Sequence, residues 1–285
     1  MNVGTLYEII GISVTTITII WIIKPWRKQK DKADPLISIF LVGLFFGLGW
    51  EPQGTGVIWS YQGFNLYPFM GIPLVIILDW SWAMVVCHLL SKQITRLSKL
   101  AGSVRDHWII TEGSFFLSGA LMALIVEPTF VSLGMWQYHY VGEKAVLDFT
   151  LLNVRFNLAV ITGWGMLTTI NLTLSGKTAE SLATRLTHTF HLPHSAALVA
   201  SSSSIGVFSG WLSWQLSVLF TALTEDVKPR IFFTRDYIIE LDWITNTQLA
   251  IILIIATGVT AYIWRRRRAI IHPDRETLSK AQSNT

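Results

Sequence analysis

Apolar residues in this chain come in long unbroken runs, not in the two-residue alternation of a half-buried strand. The runs cover about 5–23, 36–51, 67–90, 108–135, 152–174, 195–222 and 247–264. Each is near the length that crosses about 30 Å of hydrocarbon as a helix. Helices are the expected form, because in lipid they satisfy every backbone N–H and C=O internally. A membrane β-barrel would alternate over segments of about ten residues, and these runs are continuous and too long for that. The expected fold is all-α: a polytopic integral membrane protein of about seven transmembrane helices, one domain over residues 1–264. Residues 265–285 then form a polar tail. The first run has no basic region ahead of it and no small-residue cleavage site behind it, so it is expected to be retained as a span.

Composition strengthens this picture. Hydrophobic residues make up 51% of the 285 and charged residues only 14%, against about 25% in an ordinary soluble domain. The charges gather between the runs. "KPWRKQKDK" at 24–32, "KQITRLSK" at 92–99 with Arg105, Lys177 with Arg185, "RRRR" at 265–268, and the tail all fall on one side of the alternating spans. Of the 22 basic residues, 17 lie on that side and four on the other, with Arg155 near a boundary. The positive-inside rule therefore places the N-terminus outside and the C-terminus in the cytoplasm. The net charge of +4 follows from this bias. The bilayer is the expected partner and nucleic acid is not, since "RRRR" abuts an apolar run and would sit at anionic headgroups. The single cysteine, Cys87, lies within a run, so no disulfide framework exists.

Two stretches echo each other. Glu51-Pro52 precedes Trp59-Ser-Tyr61, then Pro73, then Asp79-Trp80. Glu127-Pro128 precedes Trp136-Gln-Tyr138, then Arg155-Phe-Asn157, then Gly163-Trp164. Each tryptophan stands seven residues after the Pro73 or Asn157 position. Both copies read as a helix, an outer loop and a returning helix, and both cross in the same sense. This predicts a parallel repeat of two-helix units. Glu51 and Glu127 would share an outer depth, with Arg155 and Asn157 opening the fifth span at that level. Asp79, about twelve residues into the third span, would lie about 18 Å down.

Ionisable groups inside spans are expensive and mark function. The proline after each glutamate is expected to break or tilt the helix there and to push the glutamate out of the helical region. A carboxyl group at such a broken end, in apolar surroundings, is suited to holding and donating a proton. Glu51, Glu127 and Asp79 are therefore the candidate acid and base, with their division of roles open. Around them stand Trp59, Tyr61, Trp80, Trp136, Tyr138 and Trp164, some of which belong to the aromatic belt at headgroup level. Trp80 and Trp164 lie deeper, where indole faces stabilise a carbocation. Arg155 and Asn157 would orient the base or the substrate. No metal or cofactor is expected: the chain has no aspartate-rich diphosphate motif and no phosphate-cradling glycine loop. "HTFHLPH" at 188–194 reads as interfacial histidines.

The block "EPQGTG" followed by a tyrosine, then "MGIPLVIILDW", resembles the first signature of the carotenoid biosynthesis family of integral membrane proteins, the acyclic carotenoid 1,2-hydratases. The second block, Glu127-Pro128, Gly134-Met-Trp136, Asn157 and Gly163-Trp164, resembles its continuation, and the likeness spans about residues 40–166. Family members carry Asp-Pro where Glu127-Pro128 stands here, and the glycine-rich loop differs. The resemblance implies addition of water across an alkene of a lipophilic isoprenoid. Trp50-Glu51 also resembles the carboxylate motif of small seven-span membrane terpene cyclases, which implies the same opening protonation with ring closure and proton loss afterwards. A non-enzymatic isoprenoid binder or a transporter is the remaining expectation.

Overall fold

A computed structural model describes residues 2–26, 35–55, 59–100, 108–138, 148–151, 154–224, 230–234 and 237–240. The chain is mostly helical: α1 (Val3–Trp26), α2 (Pro35–Gly54), α3 (Leu74–Leu100), α4 (Trp108–Ser132), α5 (Leu158–Ser175), α6 (Lys177–Phe190) and α7 (His194–Thr224). Five of these, α1, α2, α3, α4 and α7, are long and apolar enough to cross a membrane. The run at 247–264 and the tail lie outside the described residues.

Six short strands supplement the all-helical expectation. β1 (Trp59–Tyr61) pairs antiparallel with β2 (Trp136–Tyr138), β3 (Asp148–Leu151) with β4 (Val154–Asn157), and β5 (Arg230–Thr234) with β6 (Tyr237–Glu240). They lie where the sequence reading placed connections or span ends. Leaving the helix, the chain finds backbone partners in a second strand instead of stranding its N–H and C=O groups.

Helix packing forms a closed ring in the order α2, α3, α4, α5, α7 and back to α2. α1 lies outside it against α3, and α6 packs on α7 and α5. The ring is drawn tight by glycine. A Cβ at Gly43 of α2 would sit 2.8 Å from the Trp80 carbonyl of α3, and one at Gly119 of α4 would collide with the Trp164 carbonyl of α5. Such small-residue contacts let backbones approach where lipid offers no hydrophobic drive. The outward surface is apolar, with Ile17, Ile20, Ile125 and Phe208 more than half exposed, whereas Glu8, Glu51, Glu127 and Asn171 are buried. Greasy outside and polar groups inside is the inverse of a soluble bundle, and it fits a protein solvated by lipid.

Two expectations change. Glu51-Pro52 and Glu127-Pro128 stay inside α2 and α4, which run on to Gly54 and Ser132. Each proline sits near its helix end, where few later turns depend on it, and Thr55 N–H still reaches the Glu51 carbonyl at 3.0 Å. The third helix begins at Leu74, not near 67. Asp79 is therefore five residues in, about 7.5 Å along the axis instead of about 18 Å. Residues 177–190, which lie between two of the expected spans, form a further helix. Ala179, Leu182, Ala183 and Leu186 follow i, i+3, i+4, i+7 spacing, and the two alanines are fully buried.

Candidate functional site

The helix ends that carry Glu51 and Glu127 lie at the same end of the ring, beneath the β1–β2 ribbon. Register in that ribbon sets Trp59 opposite Tyr138 and Tyr61 opposite Trp136, with Ser60 and Gln137 between them. Side chains two apart in a strand share a face. Trp59 and Tyr61 both reach the carboxyl group of Glu51: Tyr61 donates its hydroxyl to Oε2 at 2.6 Å and Trp59 its Nε1–H at 3.2 Å. From α3, Trp80 Nε1–H donates to the other oxygen, Oε1, at 2.7 Å. Thr55 adds a long contact to Oε2 at 3.5 Å.

Glu127 is held in a matching way. The Tyr138 hydroxyl donates to its Oε2, and Trp164 Nε1–H of α5 donates to Oε1 at 2.6 Å. Both carboxyl groups are buried, Glu51 at 2% exposure and Glu127 at 5%. Neither draws on a lysine or arginine among the described residues. Indole N–H groups donate only, whereas a phenol hydroxyl both donates and accepts. Among the donors in contact, the tyrosines are thus suited to passing a proton to or from each carboxyl group. Burial, with the Glu51 carboxyl beside it, pushes the Tyr61 hydroxyl well above the usual tyrosine range, so it stays a donor at neutral pH.

The two holders touch. Trp80 and Trp164 stack with centroids 5.0 Å apart and planes at 28°. Trp59 meets Tyr138 edge-on at 6.5 Å. Because Trp80 and Trp164 rest on each other, no group fits between their facing surfaces. Trp214 of α7 closes the box, with its ring 5.3 Å from Trp50 and 5.5 Å from Trp59. Trp136 stacks on Phe130 at 4.8 Å and meets Tyr61 edge-on at 6.0 Å, which keeps its indole beside Glu127.

Comparison of the chain with family models, with curated proteins and with solved structures gives no match. Geometry alone must carry the functional reading.

Not every candidate joins the box. Asp79 accepts a hydrogen bond from the Tyr7 hydroxyl of α1. Neighbours on a helix point about 100° apart, so Trp80 faces the ring interior while Asp79 faces α1. Arg155 and Asn157 stand in β4, opposite Thr150 and Asp148. The histidines serve the α6–α7 corner: His191 ends α6 in a left-handed conformation, and His194 Nε2 lies 3.1 Å from Glu180 Oε1.

Three participants escape the sequence pattern. Trp214 lies in an apolar run with no counterpart in the repeated blocks. Tyr7 and Glu8 sit in the first span, near neither block. Glu8 is 3% exposed and accepts from Asn65 N–H at 2.9 Å, Asn65 Nδ2 at 3.0 Å and Leu66 N–H at 2.8 Å. It thereby clamps the segment that links β1 to α3. A polar residue near the end of an apolar run was the only available signal.

A groove of about 530 Å³ runs along the outside of the α2–α7 seam, lined by Leu48, Gln53, Val207, Phe208 and Trp211. Gln53 lies about 200° around α2 from Glu51, so the groove is on the lipid side and does not open onto the carboxyl groups.

Proposed function

We propose that this protein is an integral membrane enzyme that protonates a C=C bond of a lipophilic isoprenoid and captures the cation with water. The observation that carries this reading is the pair of buried carboxyl groups, each bonded to one tyrosine hydroxyl and at least one indole N–H. One of Glu51 and Glu127 donates a proton to the alkene carbon that leaves the more substituted cation. Water adds to that cation, and its released proton goes to a carboxylate, so the net change is the addition of one water. Indole rings of Trp50, Trp59, Trp80, Trp164 and Trp214 supply the electron-rich surroundings a cation needs. Where the carboxylate that takes this proton is not the one that gave it, Tyr61 and Tyr138 relay it back, each gaining a proton as it gives one up. No metal or cofactor takes part in this scheme.

The proposed setting is a seven-span domain over 1–264, N-terminus outside, with the tail 265–285 in the cytoplasm. A parallel repeat of two-helix units is supported by matching details. Gly43 and Gly119 each stand eight residues before a glutamate and meet the carbonyl of the tryptophan that bonds it. A twofold axis through the β1–β2 ribbon would exchange Trp59-Ser-Tyr61 with Trp136-Gln-Tyr138.

The test is expression in hosts that accumulate acyclic carotenoids or shorter prenylated precursors, followed by mass analysis of lipid extracts. A product one water heavier, lost in Glu51→Gln and Glu127→Gln variants that remain folded in detergent, supports the reading. A product of unchanged mass replaces the hydratase with a cyclase of the terpene type. Full activity in both variants removes the carboxyl groups from the chemistry. No product in any host turns the reading toward isoprenoid binding or transport.

A further inference from the structure

Seven residues inward of the stacked Trp80 and Trp164 lies a second layer. α3 and α5 both start at the ribbon end and run the same way, so Cys87 and Asn171 share one depth, about 10.5 Å below the two tryptophans. Cys87 is fully buried, with Thr168 and Ser118 as neighbours. α7 runs the opposite way, and Gly163 lies against Ser217. Eight residues on along each helix, Asn171 comes level with Ser209. Four helices of the ring thus bring small polar side chains to one layer.

In this layer Thr168 Oγ1 also lacks a hydrogen-bond partner, and Asn171 has the most to satisfy. It is 0% exposed, and neither its Oδ1 nor its Nδ2 has a hydrogen-bond partner. It follows Trp164 and Leu167 along the stripe of α5 that faces the ring interior, so its amide points inward, not to lipid. The unfilled capacity includes both donors and acceptors. A carboxylate or an ammonium would satisfy one kind only. Water satisfies both, makes about three hydrogen bonds when buried, and occupies sites of this kind in folded proteins.

We infer that the layer around Asn171 binds ordered water, held by its amide between α3, α4, α5 and α7. On the reading given under Proposed function, this is the store from which a cation formed at the Glu51–Glu127 box receives its water. The binding of water itself does not depend on that reading.

Hydroxyl-radical footprinting of the full chain in detergent tests it, because radicals formed from a bound water oxidise the side chains beside it. Met84 and Met135 are both buried, Met84 in the same cluster as Cys87 and Met135 in a separate one near the ribbon. Expected is oxidation of Met84 and Cys87 several-fold faster than that of Met135. In Asn171→Leu, oxidation of Met84 and Cys87 drops to the Met135 level while exposed Tyr67 is oxidised as before. If Met84 and Cys87 of the native chain are as slow as Met135, the layer is dry and the inference falls. If they stay fast in a folded Asn171→Leu protein, Asn171 does not hold the water. A wet layer in a protein that hydrates no alkene leaves this inference standing and overturns only the hydratase.

Discussion

At the level of single residues, the two glutamates differ less in burial than in company. Glu51 receives three hydroxyl or indole donors at 3.2 Å or less, plus the longer Thr55 contact. Each has a tyrosine that can return a proton. Replacing that phenol with phenylalanine keeps the ring and removes the transferable proton. Tyr61→Phe and Tyr138→Phe are expected to lower turnover by about 10²-fold or more, the usual scale of a lost acid–base partner. Trp80→Phe, which removes a pure donor, is expected to cost less. Single-turnover rates on the substrate identified by mass analysis check this ordering. If both tyrosine variants turn over at the native rate, proton return runs through another group. The glutamates, Trp59, Tyr61, Trp80, Tyr138 and Trp164 were legible in the sequence because the same residue types recur at matched spacing. Asp79 was read into the same cluster as an ionisable group inside the third span. Helix geometry separates adjacent residues, and it sends Asp79 to Tyr7.

At the level of elements, the described helices other than α6 were legible from their apolar runs, and their ends were not. Run length reports where lipid-compatible residues lie, not where the chain leaves the helix. The third run reads from 67, but residues 62–73 are tied into turns by Glu8 and by backbone bonds such as Leu74 N–H to the Leu66 carbonyl at 2.9 Å. α6 was hidden for the opposite reason: its apolar stripe is diluted by polar residues, so its hydropathy is low although its periodicity is helical. The tight crossings are testable. Gly43→Val and Gly119→Val put branched side chains against the Trp80 and Trp164 carbonyls, and overpacking of this kind costs about 1–3 kcal/mol. Gly113, also in α4, has nothing within 4 Å of a built Cβ. Thermal unfolding in detergent is expected to fall for the first two and to hold within a degree or so of native for Gly113→Val, apart from small propensity effects. Equal loss at all three positions would mean that helix propensity, not close approach, sets the effect.

At the level of the whole molecule, the five-helix ring is closed, and α1 joins it from outside: at the ribbon end through Tyr7 to Asp79 and Glu8 to the segment after β1, and two turns along through the Trp82 indole N–H to Thr15 at 3.1 Å. α1 therefore acts as a brace for the ribbon end instead of contributing to the carboxyl box. On the topology proposed from the bias of 17 basic residues to four, that end lies outside the cell. Brace and orientation can be tested together. Glu8→Ala removes the acceptor of three hydrogen bonds and leaves Asn65 and Leu66 N–H groups to find water, which frees residues 62–73 for local opening. Protease added to the outside of intact cells or right-side-out vesicles is expected to cut Glu8→Ala within 62–73 and to spare the native chain there. Cleavage in that segment only when inside-out vesicles are used would reverse the topology while keeping the brace. Equal resistance of native and variant chains from both sides would show that Glu8 does not hold the segment, and that packing of Phe64 and Ile72 against Val75 and Met135 suffices.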